Sequence, residues 1–333
     1  MGERGLPDRA NPHRPPDARD PALRIVSLLP SATDIVCSLG LRDSLVGRTH
    51  ECDWPPGIED VPVMTSDALA THGMTSRQIH DAIGGAVHSG SSIYHLDGDA
   101  LEQAKPDLVI TQELCEVCAV SYRDVTEAAR VMDADSKIVS LEPRSIDDIL
   151  GHVELVGRLT GSESRADAVA SDGRARLERI RSATRGLPRP RVVSIEWLDP
   201  IFAAGHWVPE QVDIAGGEEL LGPQGRPSPE VPWDAVVEAR PEVLVLMPCG
   251  MSIERTLGGL EVLTARSDWL ELPAVRDDRV FVVDASSYFN RPGPRVVRGV
   301  EVLAHLLHPG ADLEADPPDR SEGRKIEKAL LNR

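Results

Sequence analysis

The residues of this chain whose types could do chemistry are chiefly thiols and imidazoles placed on loops. His50 and Cys52 share one polar stretch, THECDWPP, with Glu51 and Trp54. Cys115 and Cys118 form CEVC just after the apolar run LVIT, and Cys249 follows VLVLM within PCG. Thiolates and imidazole are soft ligands that suit zinc, an iron–sulfur cluster or a cobalt centre. Cys52, Cys115, Cys118, Cys249 and His50 are therefore the candidate metal set. A single C-x-x-C is not a zinc-ribbon signature, and its alternative is a pair of small side chains packed in a loop. Cys37 lies among apolar neighbours in a helical stretch and reads as core.

A second group is polar. Glu196 and Asp199 in IEWLDP, with His206 in AGHWVPE, could do acid–base work or hold a metal; their alternative is hydrogen bonding to loop backbone, since no nucleophile with a matched base is evident. Asn290, Arg291 and Arg295 in YFNRPGPR offer fixed donors that could clamp a carboxylate, amide or phosphate, or cap the helix that follows. Trp54, Trp197, Phe202, Trp207, Trp233, Tyr288 and Phe289 all fall in or beside Pro- and Gly-rich loops. Large rings bordering a cleft suit a flat or bulky apolar ligand, and otherwise anchor loops in small satellite cores.

The elements that must position these residues follow from periodicity. Short apolar runs at 25–29, 44–47, 61–64, 108–111 and 138–141 read as strands alternating with helices, and 192–195, 243–247 and 280–283 repeat the pattern. Pro30 stops the first strand, and Ser31 with Asp34 has the form of a helix start. In open α/β sheets ligands bind at the carboxyl ends of strands, which places residues 30–33 and 49–56 on site walls. Helices are expected at 75–87, 123–132, 145–159, 162–184, 229–239, 259–270 and 294–307. The pair at 145–159 and 162–184 has no strand between its members, and the second is mostly polar, as in a spar joining two lobes. The expected organisation is a disordered segment 1–23, an α/β lobe 24–144, connecting helices 145–188, a second α/β lobe 189–309 and a disordered tail 310–333.

The 333 residues exceed one small core and fit two domains. With 36 basic against 54 acidic residues the net charge is −18, which repels phosphate backbones and argues against nucleic acid. A small molecule is the expected partner. No stretch is apolar for the ~20 residues of a membrane helix, and the Pro- and Arg-rich start lacks the apolar core of a secretory signal, so a cytoplasmic protein with reduced thiols is expected. No P-loop, G-x-G-x-x-G or G-x-S-x-G pattern occurs.

The order of SLLPSATDIVCSLGL, VGRTHECDWPP, LVITQELCEVCAV, IEWLDPIFAAGHWVPE, AGG and YFNRPGPR resembles the class III periplasmic binding proteins, the helical-backbone metal receptors, and within them the cobalamin-binding branch. The resemblance covers residues 24–309. It implies two Rossmann-like α/β lobes joined by a long α-helix, with a corrinoid such as cobalamin, or a related metal chelate, bound between them without catalysis. On the matching positions it implies a site from Pro30, Ser31, Thr33, His50, Glu51 and Trp54 in the first lobe. From the second it implies Glu196, Trp197, His206, Trp207, Tyr288, Phe289, Asn290 and Arg291. Exported members serve an ABC permease, a partner expected here only if the chain is exported. The rival readings are a metalloenzyme with a Cys/His-held zinc or iron–sulfur centre, and a transporter receptor whose start lies upstream.

Overall fold

A computed structural model describes residues 23–67, 69, 73–88, 94–112 and 136–331. In the first lobe β1 (Ile25–Ser27), β2 (Leu45–Gly47), β3 (Thr65–Asp67), β4 (Tyr94–Leu96), β5 (Leu108–Thr111) and β6 (Lys137–Ser140) occur in chain order. β2-β1-β5-β6 make a parallel sheet with Val26 opposite Val109. β1 and β5 are wholly buried, as the uninterrupted apolar runs require of central parallel strands. β3 and β4 form a separate antiparallel ribbon. The strand expected at 61–64 begins later, at Thr65, and Val63 makes only an isolated bridge to Arg48.

Helix Pro30–Ser38 follows β1 at once. Its start differs from the S-x-x-D expectation: Leu29 is the cap, no side chain caps it, and Pro30 opens the first turn. Proline is preset for that position because its missing N–H is unpaired there anyway. Asp34 is thereby left for another partner. Helix Ile146–Thr160 keeps the expected capping box of Ser145 and Asp148 and ends at Gly161, φ +67°.

Helix Glu163–Thr184 has 22 residues, about 33 Å, and its buried positions Ala166, Ala170, Gly173, Leu177, Ile180 and Thr184 make one narrow stripe. Ala166 belongs to the core of the first lobe and Leu177 and Ile180 to that of the second, so this spar is also part of both cores. Small residues let it lie close: a Cβ on Gly157 would stand 2.3 Å from the Ala166 Cβ.

The second lobe holds β7 (Arg191–Leu198), β8 (Ile201–Ala203), β9 (Glu218–Glu219), β10 (Val243–Leu246), β11 (Val280–Val283) and β12 (Gly323–Lys325) in the order β12-β11-β10-β7-β8, with β9 also on β7. Alternate residues feed opposite faces: Val243 and Val245 enter one core, Leu244 and Leu246 the other. The tail expected to be disordered is folded over 310–331. β12 pairs antiparallel with β11, and Leu313, Ile326 and Leu331 are buried. The charged tail carries just enough apolar side chains to cover an otherwise open sheet edge. The helix expected at 259–270 is broken into Glu261–Thr264 and a 3-10 turn at Trp269–Glu271. The helix expected at 123–132 lies outside the described residues, as do residues 1–22.

Candidate functional site

A cleft of about 430 Å³ opens between the lobes at the carboxyl ends of β1, β5, β7, β10 and β11. Leu29, Pro30 and Ser31 after β1, Gln112 after β5, Glu51, and Ile79, His80 and Ile83 of helix Ser76–His88 form the first-lobe wall with Tyr94. Glu196, Trp197, Phe202, His206, Cys249, Met251, Asn290 and Arg291 form the second.

Behind the first wall, the loop that carries His50 to Trp54 is fixed by polar contacts. The buried Arg48 guanidinium donates to the carbonyls of Thr49 at 3.0 Å, Cys52 at 3.1 Å and Val61 at 3.1 Å. Thr33 donates to the Ser27 hydroxyl at 2.8 Å, and the Cys52 sulfur lies 3.0 Å from the Thr33 hydroxyl and 3.2 Å from that of Thr49. Burial pushes the Cys52 thiol up, so it is a neutral hydrogen-bonding group. Thr33 and Cys52 thus stand behind the wall rather than in it. His50 does likewise, with Nδ1 2.8 Å from the Thr65 hydroxyl and its ring tilted against Tyr94.

The second wall is held by buried rings. Trp207 Nε1 donates to the Phe289 carbonyl at 2.7 Å, and Gln211 Nε2 to the carbonyls of Tyr288 at 3.0 Å and Val296 at 2.9 Å. Trp207 and Phe289 are core residues at 4% and 0% exposure, so they shape the cleft without facing it. Tyr288 is partly buried against that core, and Trp54 stands exposed outside the cleft with the Arg295 guanidinium 5.0 Å from its ring centre. Trp54, Trp207, Tyr288, Phe289 and His50 are therefore not among the lining residues of the cleft.

Glu196 and His206 do reach the cleft. Ser228 Oγ donates to Glu196 Oε2 at 2.9 Å, the Cys249 N–H donates to the Glu196 carbonyl at 3.0 Å, and burial pushes the carboxyl up to about 7. His206 has φ +52°, its N–H is bonded to the Arg226 carbonyl, and burial drives its imidazole down, so it is neutral. Asp199 belongs to the lobe contact: it pairs with Arg77 at 2.6 Å, beside the Trp197 Nε1 bond to the Ser76 carbonyl at 3.2 Å. At the other end Arg291 binds Asp53 and the Glu51 carbonyl, and Arg295 Nε donates to Asp34 Oδ2 at 2.8 Å. The lobes are tied on both sides of the cleft.

The candidate metal set can be followed only in part among the described residues. Cys52 and Cys249 sit on different lobes in different surroundings, Cys115 and Cys118 lie outside the described residues, and no cluster of three or more His, Cys, Asp or Glu side chains fit to hold an ion occurs among the described residues. Sequence reasoning also missed Arg48, Gln112, Ser228 and Met251. Arg48, directly after the β2 run, and Gln112, directly after the β5 run, both carried the same strand-end signal as Pro30 and Ser31.

A relative named vitamin B12-binding protein, from Vibrio cholerae, is 25% identical over 290 residues, covering 86% of this chain and 90% of its own length. An ABC transporter substrate-binding lipoprotein of Bacillus subtilis is 23% identical over 300 residues, covering 86% and 80%. The periplasmic heme-binding protein RhuT from Roseiflexus has the same two-lobe α/β fold, with a TM-score of 0.65 at 21% identity over 86% of this chain and 98% of that one. The cytoplasmic placement expected from the sequence finds no support in these relatives. No helix among the described residues is long and apolar enough to cross a membrane. A family model described as periplasmic binding protein matches residues 25–286, and with that match spanning both lobes and the cleft, the chain belongs to the periplasmic binding protein family.

Proposed function

We propose that this chain binds a corrinoid in the inter-lobe cleft and does no chemistry on it. The observation that carries this reading is the apolar lining that both lobes contribute to one cleft: Ile79, Ile83 and Tyr94 from one and Trp197, Phe202 and Met251 from the other, with polar groups such as Gln112, Glu196 and Asn290 in the same lining. Such a lining suits a flat macrocycle with polar substituents on its rim. The B12-binding relative, aligned over 86% of this chain, supports the corrinoid class. In this reading the corrin ring lies between the two walls and the nucleotide arm stays outside them. Inter-lobe bonds already in place mean the site is preorganised, which limits the ordering cost of binding.

The lipoprotein relative supports delivery of the ligand to an ABC permease, and with it a station outside the cytoplasm. Equilibrium titration with hydroxocobalamin, followed by its visible absorption, tests the function. Saturable binding of one corrinoid per chain, with dicyanocobinamide binding about as tightly although it lacks the nucleotide arm, is the expected result. Absence of binding by both ligands at high micromolar concentration overturns it.

A further inference from the structure

The charged groups in the cleft are unevenly committed. Glu51 and Asp67 line it from the first lobe and Glu196 from the second. The two guanidinium groups in the same lining are already engaged: Arg291 with Asp53 and the Glu51 carbonyl, and Arg255 with the Met74 carbonyl at 3.4 Å. A ligand entering this space meets carboxyl groups on both walls and cations that face protein acceptors.

Glu196 is the best fixed of the three carboxyls. Its Oε2 accepts a hydrogen bond from the Ser228 hydroxyl, Ser228 Oγ accepts one from the Gly205 N–H at 3.0 Å, and the Glu196 backbone carbonyl accepts one from the Cys249 N–H. A carboxyl group has acceptor sites beyond the one Ser228 uses. When ionised it accepts from an amide N–H of a ligand; when protonated it donates to the amide oxygen, which an amide can present by turning over. A ligand carboxylate has only the second option, and meets Glu51 and Asp67 as like charges besides. Like-charge juxtaposition in a partly desolvated site is a standard means of rejecting a wrong ligand.

We infer that the cleft selects a corrinoid whose rim groups are amides over one whose rim groups are carboxylates, and that Glu196 is the residue that sets this preference. The inference rests on the corrinoid reading above and deepens it. The same chemistry disfavours any planar chelate that carries free carboxylates on its edge.

The test compares two probes on the full chain at about pH 8, where an ordinary carboxyl is ionised and Glu196 is mostly so. Dicyanocobinamide carries amides; dicyanocobyrinic acid carries the parent carboxylates. The acid is expected to bind at least about tenfold more weakly. Glu196→Gln keeps the Ser228 contact and removes the charge, and is expected to narrow that ratio to about threefold or less. Asp53→Asn provides a second route, since it loosens Arg291 from its partner, and is expected to strengthen binding of the acid specifically. Equal affinity of the two probes for the parent chain, or a ratio unchanged in Glu196→Gln, overturns the inference while the corrinoid reading stands. Failure of dicyanocobinamide and hydroxocobalamin alike to bind the parent chain removes the corrinoid reading itself.

Discussion

The two walls of the cleft are held in place by different forces. Behind the first, the loop from Thr49 to Trp54 is fixed by directional contacts, with Arg48 gathering four carbonyls and the Cys52 thiol lodged between two threonine hydroxyls. Behind the second, the loop after β11 is anchored by volume: Phe289 is fully buried in a core with Trp207, Val296 and Val300. A hydrogen bond between neutral groups contributes about 1 kcal/mol net and one from a charged group about 1.5 to 3, whereas emptying a buried aromatic site costs about 3 to 5. The first wall thus divides its hold among several directional contacts, and the second concentrates it in a few buried rings.

Truncating one member of each wall measures that difference directly. Phe289→Ala should destabilise the protein by about 3 to 5 kcal/mol, the range for emptying a buried aromatic site. Cys52→Ala, which removes a small group and leaves Thr33 and Thr49 able to bond elsewhere, should cost about 1 to 2 kcal/mol. Urea unfolding at constant m-value reads both. If Cys52→Ala costs as much as Phe289→Ala, the first wall does not divide its hold in this way.

The same contrast explains what could be read from the sequence. The second lobe's strands and the spar are coded by local periodicity, and β10, β11 and helix Glu163–Thr184 fall within a residue or so of expectation. Pro30, Ser31, Glu51, Glu196, Trp197, His206, Asn290 and Arg291 reach the cleft because strand-end position alone predicts that for most of them. What was not legible is which way a side chain turns after its loop is placed. Trp207 and Phe289 carry the same ring chemistry as Trp197, yet a backbone carbonyl 82 residues from Trp207 decides that its indole faces inward. The folded tail was hidden for a related reason, because an edge strand such as β12 is specified by the strand it covers as much as by its own residues.

A second comparison lies between the two ends of the cleft, where the lobes are joined. At the Arg77–Asp199 end the arginine is in water, where solvent screens the pair. At the Arg295–Asp34 end the carboxyl is buried, and burial raises it from 3.8 to about 6 even though Arg295 opposes the shift. A carboxyl raised on folding binds its proton more tightly in the folded chain than in the unfolded one. Its contribution therefore becomes more favourable as pH falls from about 6 towards 3.8, and is least favourable above about 6. Over that window the linkage is up to about 3 kcal/mol. Asp34→Asn should flatten this part of the stability–pH curve. Thermal unfolding of the variant and the parent across the window checks the sign, and an Asp34→Asn curve parallel to the parent's would break the distinction between the two ends.

The smallest expected effect separates two tryptophans. Trp197 lines the cleft and also donates its Nε1–H to the Ser76 carbonyl across the lobes, whereas Trp54 is 43% exposed outside the lining and has the Arg295 guanidinium over its ring. An exposed cation–π contact is worth about 0.5 to 1 kcal/mol. Trp54→Ala should accordingly lower stability by no more than that and leave corrinoid affinity within about twofold, because the Arg295–Asp34 pair persists without the ring. Trp197→Ala removes a wall face and a lobe-to-lobe bond together, and should weaken binding by about tenfold or more, the scale for a stacked aromatic anchor. Titrating both variants beside the parent ranks them. A loss of affinity in Trp54→Ala equal to that in Trp197→Ala would mean that the bound ligand extends past the cleft and rests on the outer loop, which would make Trp54 part of the binding surface after all.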